Sequence, residues 1–286
     1  MKNQVMALGA TLLFAAPFAT PALADPSGFI SLGAGPGSQF ISNGSDEDSE
    51  EGYAIRGAAS GVYNFTPTLG VQGDLSFTYT SIDDDAFARR EIDGALHGFY
   101  REPDNFLVGG FVQLGRDTYL FDGDDEGSTD RAYIGGEAQV YLDNLTLYAQ
   151  GGMQQFTPDL SFAPTFSGWF GQLEARYFLT PDFRIEAHVG ANTLDFLGSY
   201  TVTTVNLGIG AEYKLENLPV SLFAAYDYRN STIDDPDAPT FGEHRLLVGA
   251  KFAIGEESLL GRDRNGASLS PVNTSLPLTF GGFGAP

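Results

Sequence analysis

The feature that most constrains this chain is period-two alternation of apolar and polar residues, sustained over runs of roughly a dozen residues and repeated along its length. Tyr53, Ile55, Gly57, Ala59, Gly61, Tyr63 and Phe65 share one side of such a run, and Arg56, Ser60 and Asn64 share the other. The runs 71–80, 92–101, 132–142, 145–154, 169–179, 183–192, 205–214, 220–229 and 245–254 repeat the pattern. Two segments are less regular. In 106–114, Leu107 and Phe111 make the second side apolar too, and 27–34 is short, with Ile30 and Leu32 on its apolar side. Counting both, the pattern predicts an all-β chain of about twelve antiparallel strands, with about ten or fourteen as the alternatives. The spacers alternate in length. Short ones fall at 66–68, 102–105, 143–144, 180–182 and 216–219, and longer acidic ones at 35–51, 82–89, 117–130, 156–165, 192–199 and 230–242. Strands of soluble proteins average about 5–6 residues, whereas a tilted strand needs about 9–11 to cross a bilayer.

The first residues carry an export pattern. Lys2 precedes an apolar stretch from Ala7 to Ala19, and Ala22-Leu23-Ala24 fits a small-x-small cleavage site, so residues 1–24 are expected to be a signal peptide. The stretch is too short for a helical span, which needs about 20 apolar residues. There is no cysteine, which excludes disulfides, thiolate nucleophiles and cysteine-ligated metals. The formal net charge of −22, becoming −23 without Lys2 (−22 − 1), argues against nucleic acid as a partner.

Alternation alone fits a soluble sandwich or small barrel with its apolar side inward. The aromatic residues favour the opposite orientation. Tyr63, Phe65, Tyr100, Tyr177, Phe183, Tyr213 and Phe252 sit toward the short spacers; Tyr53, Tyr79, Trp169 and Tyr226 sit toward the long ones. Gly, Ala, Leu, Ile and Val dominate between them. Two belts of rings bordering an apolar band are the signature of membrane-interface anchoring. Gly249, Phe252 and Ile254 match the Gly-x-x-aromatic-x-hydrophobic core of a barrel assembly signal, without its terminal aromatic. On these residues, 25–255 resembles the Gram-negative outer-membrane β-barrel (porin-like) superfamily. The resemblance implies a transmembrane antiparallel up-and-down β-barrel in the cell outer membrane, surrounded by outer-membrane lipid and lipopolysaccharide, with both chain ends on the short-turn, periplasmic side.

The polar side is then the lumen. It carries Arg56, Arg101, Arg176, Arg184, Lys214, Arg229, Arg245 and Lys251 against Asp74, Glu91, Asp93, Glu137, Glu174, Glu186, Glu212 and Asp227. Such a wall suits a mixed-charge pore or a salt-bridged interior that holds the barrel shut. The excess acid lies in the long spacers, at Asp46 to Glu51, Asp83 to Asp85, Asp122 to Glu126 and Asp234 to Asp237. Residues 122–127 begin like a calcium loop, but Tyr133 stands where its closing Glu belongs. These carboxylates are expected to be solvated; sharing divalent cations with anionic lipid headgroups is the second reading. No cofactor is expected.

Catalysis in such a barrel would need an activated His. His97, His188 and His244 are the three histidines, and none lies in a His-x-Ser pattern, so no catalytic residue is expected. Residues 256–286 lack alternation and are rich in Gly, Pro and Ser. They are expected to form a flexible periplasmic C-terminal tail; a plug anchored by Phe280 and Phe283 is the second reading. The function expected is passive passage of small hydrophilic solutes. The alternatives are a non-conducting structural or adhesive surface barrel and, remotely, a lipid-modifying barrel enzyme.

Overall fold

The computed structural model describes residues 27–43, 46–82, 87–121, 124–159, 165–196, 200–235, 237–255 and 258–273. The expected signal peptide, part of the acidic spacers, and Phe280 and Phe283 lie outside them. Twelve strands follow one another along the chain. The first six are β1 (Ser27–Asn43), β2 (Asp46–Asn64), β3 (Leu69–Ile82), β4 (Phe87–Glu102), β5 (Phe106–Phe121) and β6 (Asp124–Leu142). The second six are β7 (Leu145–Pro158), β8 (Phe166–Thr180), β9 (Phe183–Phe196), β10 (Tyr200–Lys214), β11 (Val220–Ile233) and β12 (Thr240–Ile254). Each pairs antiparallel with its neighbours, and β1 pairs with β12, closing the barrel. Closure leaves no unpaired edge. Among the described residues one helix, α1 (Leu259–Asn265), follows β12.

The short turns form where the sequence places them. At the two-residue turn between β6 and β7, Asp143 has a φ of 45°, and Asn217 in the β10–β11 turn has 58°. Both residue types tolerate the left-handed region because their side chains bond locally.

The apolar side faces outward. Leu114 is 68% exposed, Ile209 64% and Trp169 63%, while the alternate residues Gln113, Asn206 and Gln172 are buried inside. A single-residue slip in register would exchange the two faces on every strand. The rings at both ends of the band pair across strands: Tyr53 with Tyr79, Tyr100 with Phe106, and Phe183 with Tyr213, at 5.9–6.2 Å between centroids. Tyr63, Tyr177, Tyr213, Tyr226 and Phe252 are exposed on this outer face, and Phe65 is exposed at its short-turn border.

Two expectations are corrected. The long spacers are largely strand. The strands reach 14 to 19 residues, and residues 35–43 and 46–51 of the expected loop are instead the paired upper part of β1 and β2. Gly35-Pro36-Gly37 has the composition of a turn, but a barrel strand has two partners. Pro36 has no N–H to give, so pairing with β12 is interrupted at 35 and 36 while pairing with β2 runs through. The C-terminal tail is the second correction: residues 258–273 lie folded inside the lumen, most of them buried, because the inner wall supplies partners for both their main chain and their charges.

Candidate functional site

The segment enters the lumen at the short-turn end. Ser258 caps α1, its Oγ accepting from the Gly261 N–H at 2.9 Å, and the Leu260 N–H donates to the Pro181 carbonyl at 3.0 Å. Successive helical residues point about 100° apart, so Arg262, Asp263 and Arg264 reach three parts of the wall. Arg262 donates to Glu212 at 2.7 Å and lies over the Phe29 ring. Asp263 accepts from Thr146 at 2.5 Å and from Arg176 at 2.9 Å. Arg264 donates to the Asp143 carbonyl at 2.9 Å and covers the Tyr141 ring at 4.3 Å. Burial pushes the Asp263 carboxyl up, but Arg176 and the hydrogen bonds from Thr146 and Arg176 outweigh it and hold the group below its ordinary value.

Beyond α1 the chain is extended, and the wall bonds its main chain. Arg101 donates to the Gly266 carbonyl at 2.8 Å. Gln139 and Arg176 donate to the Ser268 carbonyl at 3.0 and 2.7 Å. Gln72 accepts from the Ser268 and Leu269 N–H groups, both at 3.1 Å, and donates to the Leu269 carbonyl at 2.8 Å. Gln113 accepts from the Val272 N–H at 2.7 Å and donates to its carbonyl at 3.0 Å. The apolar side chains enter two clusters. Ala267 and Leu269 pack with Val62, Phe99, Leu107, Tyr141 and Tyr148; Val272 packs with Phe111, Tyr133, Phe156, Phe170 and Leu194. Gly70 makes room for the first of these: a Cβ there would stand 2.7 Å from the Phe99 ring.

Within this wall lies a relay of polar side chains. His97 faces Asp74 through Nε2 at 3.0 Å and Glu137 through Nδ1 at 2.8 Å. Asp74 in turn accepts from Gln72, and Glu137 accepts from Tyr148. The two carboxylates thus orient two residues that touch the segment. Nearer the long-hairpin end, Arg89 pairs with Glu91 at 3.3 Å and reaches Glu243 at 3.7 Å, and Arg245 lies 3.9 Å from Glu91, linking β4 to β12. Arg131 bridges Asp93 at 3.1 Å and Asp117 at 2.8 Å. Arg229 donates to Asn273 at the end of the described segment.

The opposite side of the lumen is not filled. A cavity of about 250 Å³ lies between the segment and the wall, lined by Arg56, Glu174, Arg184, Glu186, His188, Asp227 and Lys251 among others. Arg184 pairs with Glu186 at 2.8 Å and Glu212 at 3.0 Å, Lys251 with Glu212 at 2.9 Å, and His188 with Asp227 at 3.4 Å.

The structure therefore distributes fifteen of the sixteen charges read from the sequence over three overlapping groups and leaves Lys214 apart. Arg101, Glu137, Arg176 and Asp74 serve the docked segment. Glu91, Asp93, Arg229 and Arg245 form the upper ion network. Arg56, Glu174, Arg184, Glu186, Glu212, Asp227 and Lys251 line the cavity, while Lys214 is partly exposed at the short-turn rim. Sequence reasoning missed Arg89, Asp117, Arg131 and Glu243, which fall in or beside spacers read as loops. It also missed Arg262, Asp263 and Arg264. Three consecutive ionic residues in a Gly- and Ser-rich tail were the available signal.

No family model and no curated protein sequence matches the chain. Its fold does match solved structures. An outer-membrane channel from Pseudomonas putida F1 aligns over 82% of this chain and 97% of its own length, with 14% identity and a TM-score of 0.56. The translocator domain of the autotransporter NalP from Neisseria meningitidis aligns over 81% and 89%, with 15% identity and a TM-score of 0.50. At these identities the likeness is one of architecture. With its closed twelve-strand wall, its outward apolar band and its two ring belts, this chain has the fold of the outer-membrane β-barrels.

Proposed function

We propose that the protein is an outer-membrane channel for small hydrophilic solutes, occluded by its own C-terminal segment and conducting on the charged side of the lumen when that segment moves. The carrying observation is the cavity of about 250 Å³ beside the segment, walled by paired charges of both signs. Small barrels are filled by side chains and those of about 16–18 strands leave an aqueous channel; twelve strands around an inserted segment fall between these cases. The wall groups that bond the segment's main chain are glutamines and arginines, whose polar atoms water can satisfy once it departs. Mixed charge gives little bias for ion sign. The proposal includes no catalytic step.

A second reading is a permanently closed structural barrel. The ion network joining β4 to β12 favours it, since that network spans the lumen above the segment. Single-channel recording in planar bilayers distinguishes the two. Rare openings from the native protein, becoming frequent and stepwise in Asp263→Ala, support the channel. Silence from both, with folding verified, selects the closed barrel.

A further inference from the structure

The contacts that hold residues 266–272 resemble those of a strand partner. A carboxamide presents an N–H donor and a C=O acceptor side by side, the same pair that a peptide unit offers, with a second N–H to spare. Gln72 applies that pair to the N–H and C=O of Leu269, and Gln113 applies it to those of Val272. Arg101, Gln139 and Arg176 add donors to the carbonyls of Gly266 and Ser268. Contacts to the segment's polar side chains are fewer: Ser268 Oγ meets Arg101 and Gln139, and Ser270 Oγ meets Arg176 at 3.4 Å. Specificity then resides in the two aromatic-walled pockets that hold Leu269 and Val272. Main-chain bonds that supply affinity, with side-chain pockets that supply selectivity, are the division of labour in recognition of extended peptides.

We propose that the inner wall from β3 to β8 is a peptide-binding groove. Once vacated, it takes an extended peptide carrying aliphatic side chains at two positions three residues apart, with no charge between them. Residues 267–272, Ala-Ser-Leu-Ser-Pro-Val, are the resident example. The proposal rests on the reading that the segment can leave. It adds that what enters in its place is selected by backbone shape and two apolar anchors. An emptied groove would leave the Leu269 and Val272 pockets facing water; a second extended chain restores the amide bonds and the apolar contacts together.

The test uses the full-length protein with a specific protease site inserted between Glu257 and Ser258, so that the barrel folds with its segment and the tether is cut afterwards. The probe is a fluorescent synthetic peptide of residues 258–273, followed by anisotropy. Saturable binding that unlabelled peptide displaces is expected. N-methylation at Leu269 and Val272 should weaken binding at least tenfold, and Leu269→Asp with Val272→Asp should abolish it. Replacing Ser268 and Ser270 by Ala should change binding less than threefold, and a peptide that keeps residues 258–265 and 273 but carries between them an unrelated uncharged sequence with Leu and Val at the same spacing should bind within tenfold. Equal binding of the N-methylated peptide, or failure of the unrelated one, overturns the groove. The uncut Asp263→Ala protein separates the two proposals. Conductance without peptide binding overturns the groove and keeps the channel, whereas binding without conductance supports the groove alone.

Discussion

From β4 to β8 the inner surface of the barrel carries Phe99, Leu107, Phe111, Tyr133, Tyr141, Tyr148, Phe156 and Phe170, with glutamines among them and a docked segment on top. From β9 to β12 it carries Arg184, Glu186, Glu212, Asp227 and Lys251 around an open cavity. The outer faces of the two halves are alike, each a band of Leu, Ile, Val, Gly and Ala bordered by rings. The comparison shows that the outward pattern and strand register fix the barrel, while the inward positions are free to diverge. One half holds a ligand-like piece of chain; the other holds space and balanced charge.

Four changes test that contrast, in falling order of effect on segment docking. Asp263→Ala removes a buried partner of Arg176 and the acceptor for Thr146. Loss of one member of a buried ion pair costs about 3–5 kcal/mol, and the low end applies because Glu174 still pairs with Arg176 at 2.5 Å. Limited proteolysis should cut the segment readily while the barrel core stays resistant; an equally protected segment would contradict the docking described. Gln113→Leu leaves the Val272 N–H and carbonyl without their partner, at about 1–2 kcal/mol. Hydrogen exchange at the Val272 amide should accelerate by about tenfold, since about 1.4 kcal/mol is one decade.

Acid is the third change. The Asp263 carboxyl is held below its ordinary value of 3.8, so it binds protons less readily folded than unfolded. Its contribution is fully present above that value and is lost as pH falls through the lower, folded one. Quenching of a fluorophore at the segment's end should be flat between pH 7 and 5 and decline only in stronger acid. A transition near pH 6 would assign docking to another group. Smallest of all is Arg56→Ala on the open half: docking should change by less than about 0.5 kcal/mol. Reversal potentials in a salt gradient should shift toward cation preference, provided the channel opens, because one positive charge leaves the cavity wall.

The barrel was legible because its outer face obeys one rule from Tyr53 to Ile254, and a period of two records that rule residue by residue. The long hairpins were less legible. Acidic and Gly-Pro sequences such as 35–51 read as loops, because composition does not register the pairing that a neighbouring strand supplies. Arg89, Asp117 and Glu243 were overlooked for that reason. The docked segment left two traces. Leu107 and Phe111 gave β5 two apolar faces, which a water-filled lumen does not require, and Arg262-Asp263-Arg264 concentrated charge in a tail otherwise rich in small residues. Neither trace identifies the other as its partner, since contacts more than 150 residues apart, such as Gln113 with Val272, have no local signature.

Only residues 255–257 separate the end of β12 from the cap of α1. A tether this short keeps the segment at an effective concentration on the order of millimolar at the mouth of its own groove. A free competitor of equal intrinsic affinity must reach that concentration before it holds half the sites. The tether therefore works as a threshold: dilute peptides pass unnoticed, and occupancy by an outsider requires local abundance or a stronger grip than the resident sequence has.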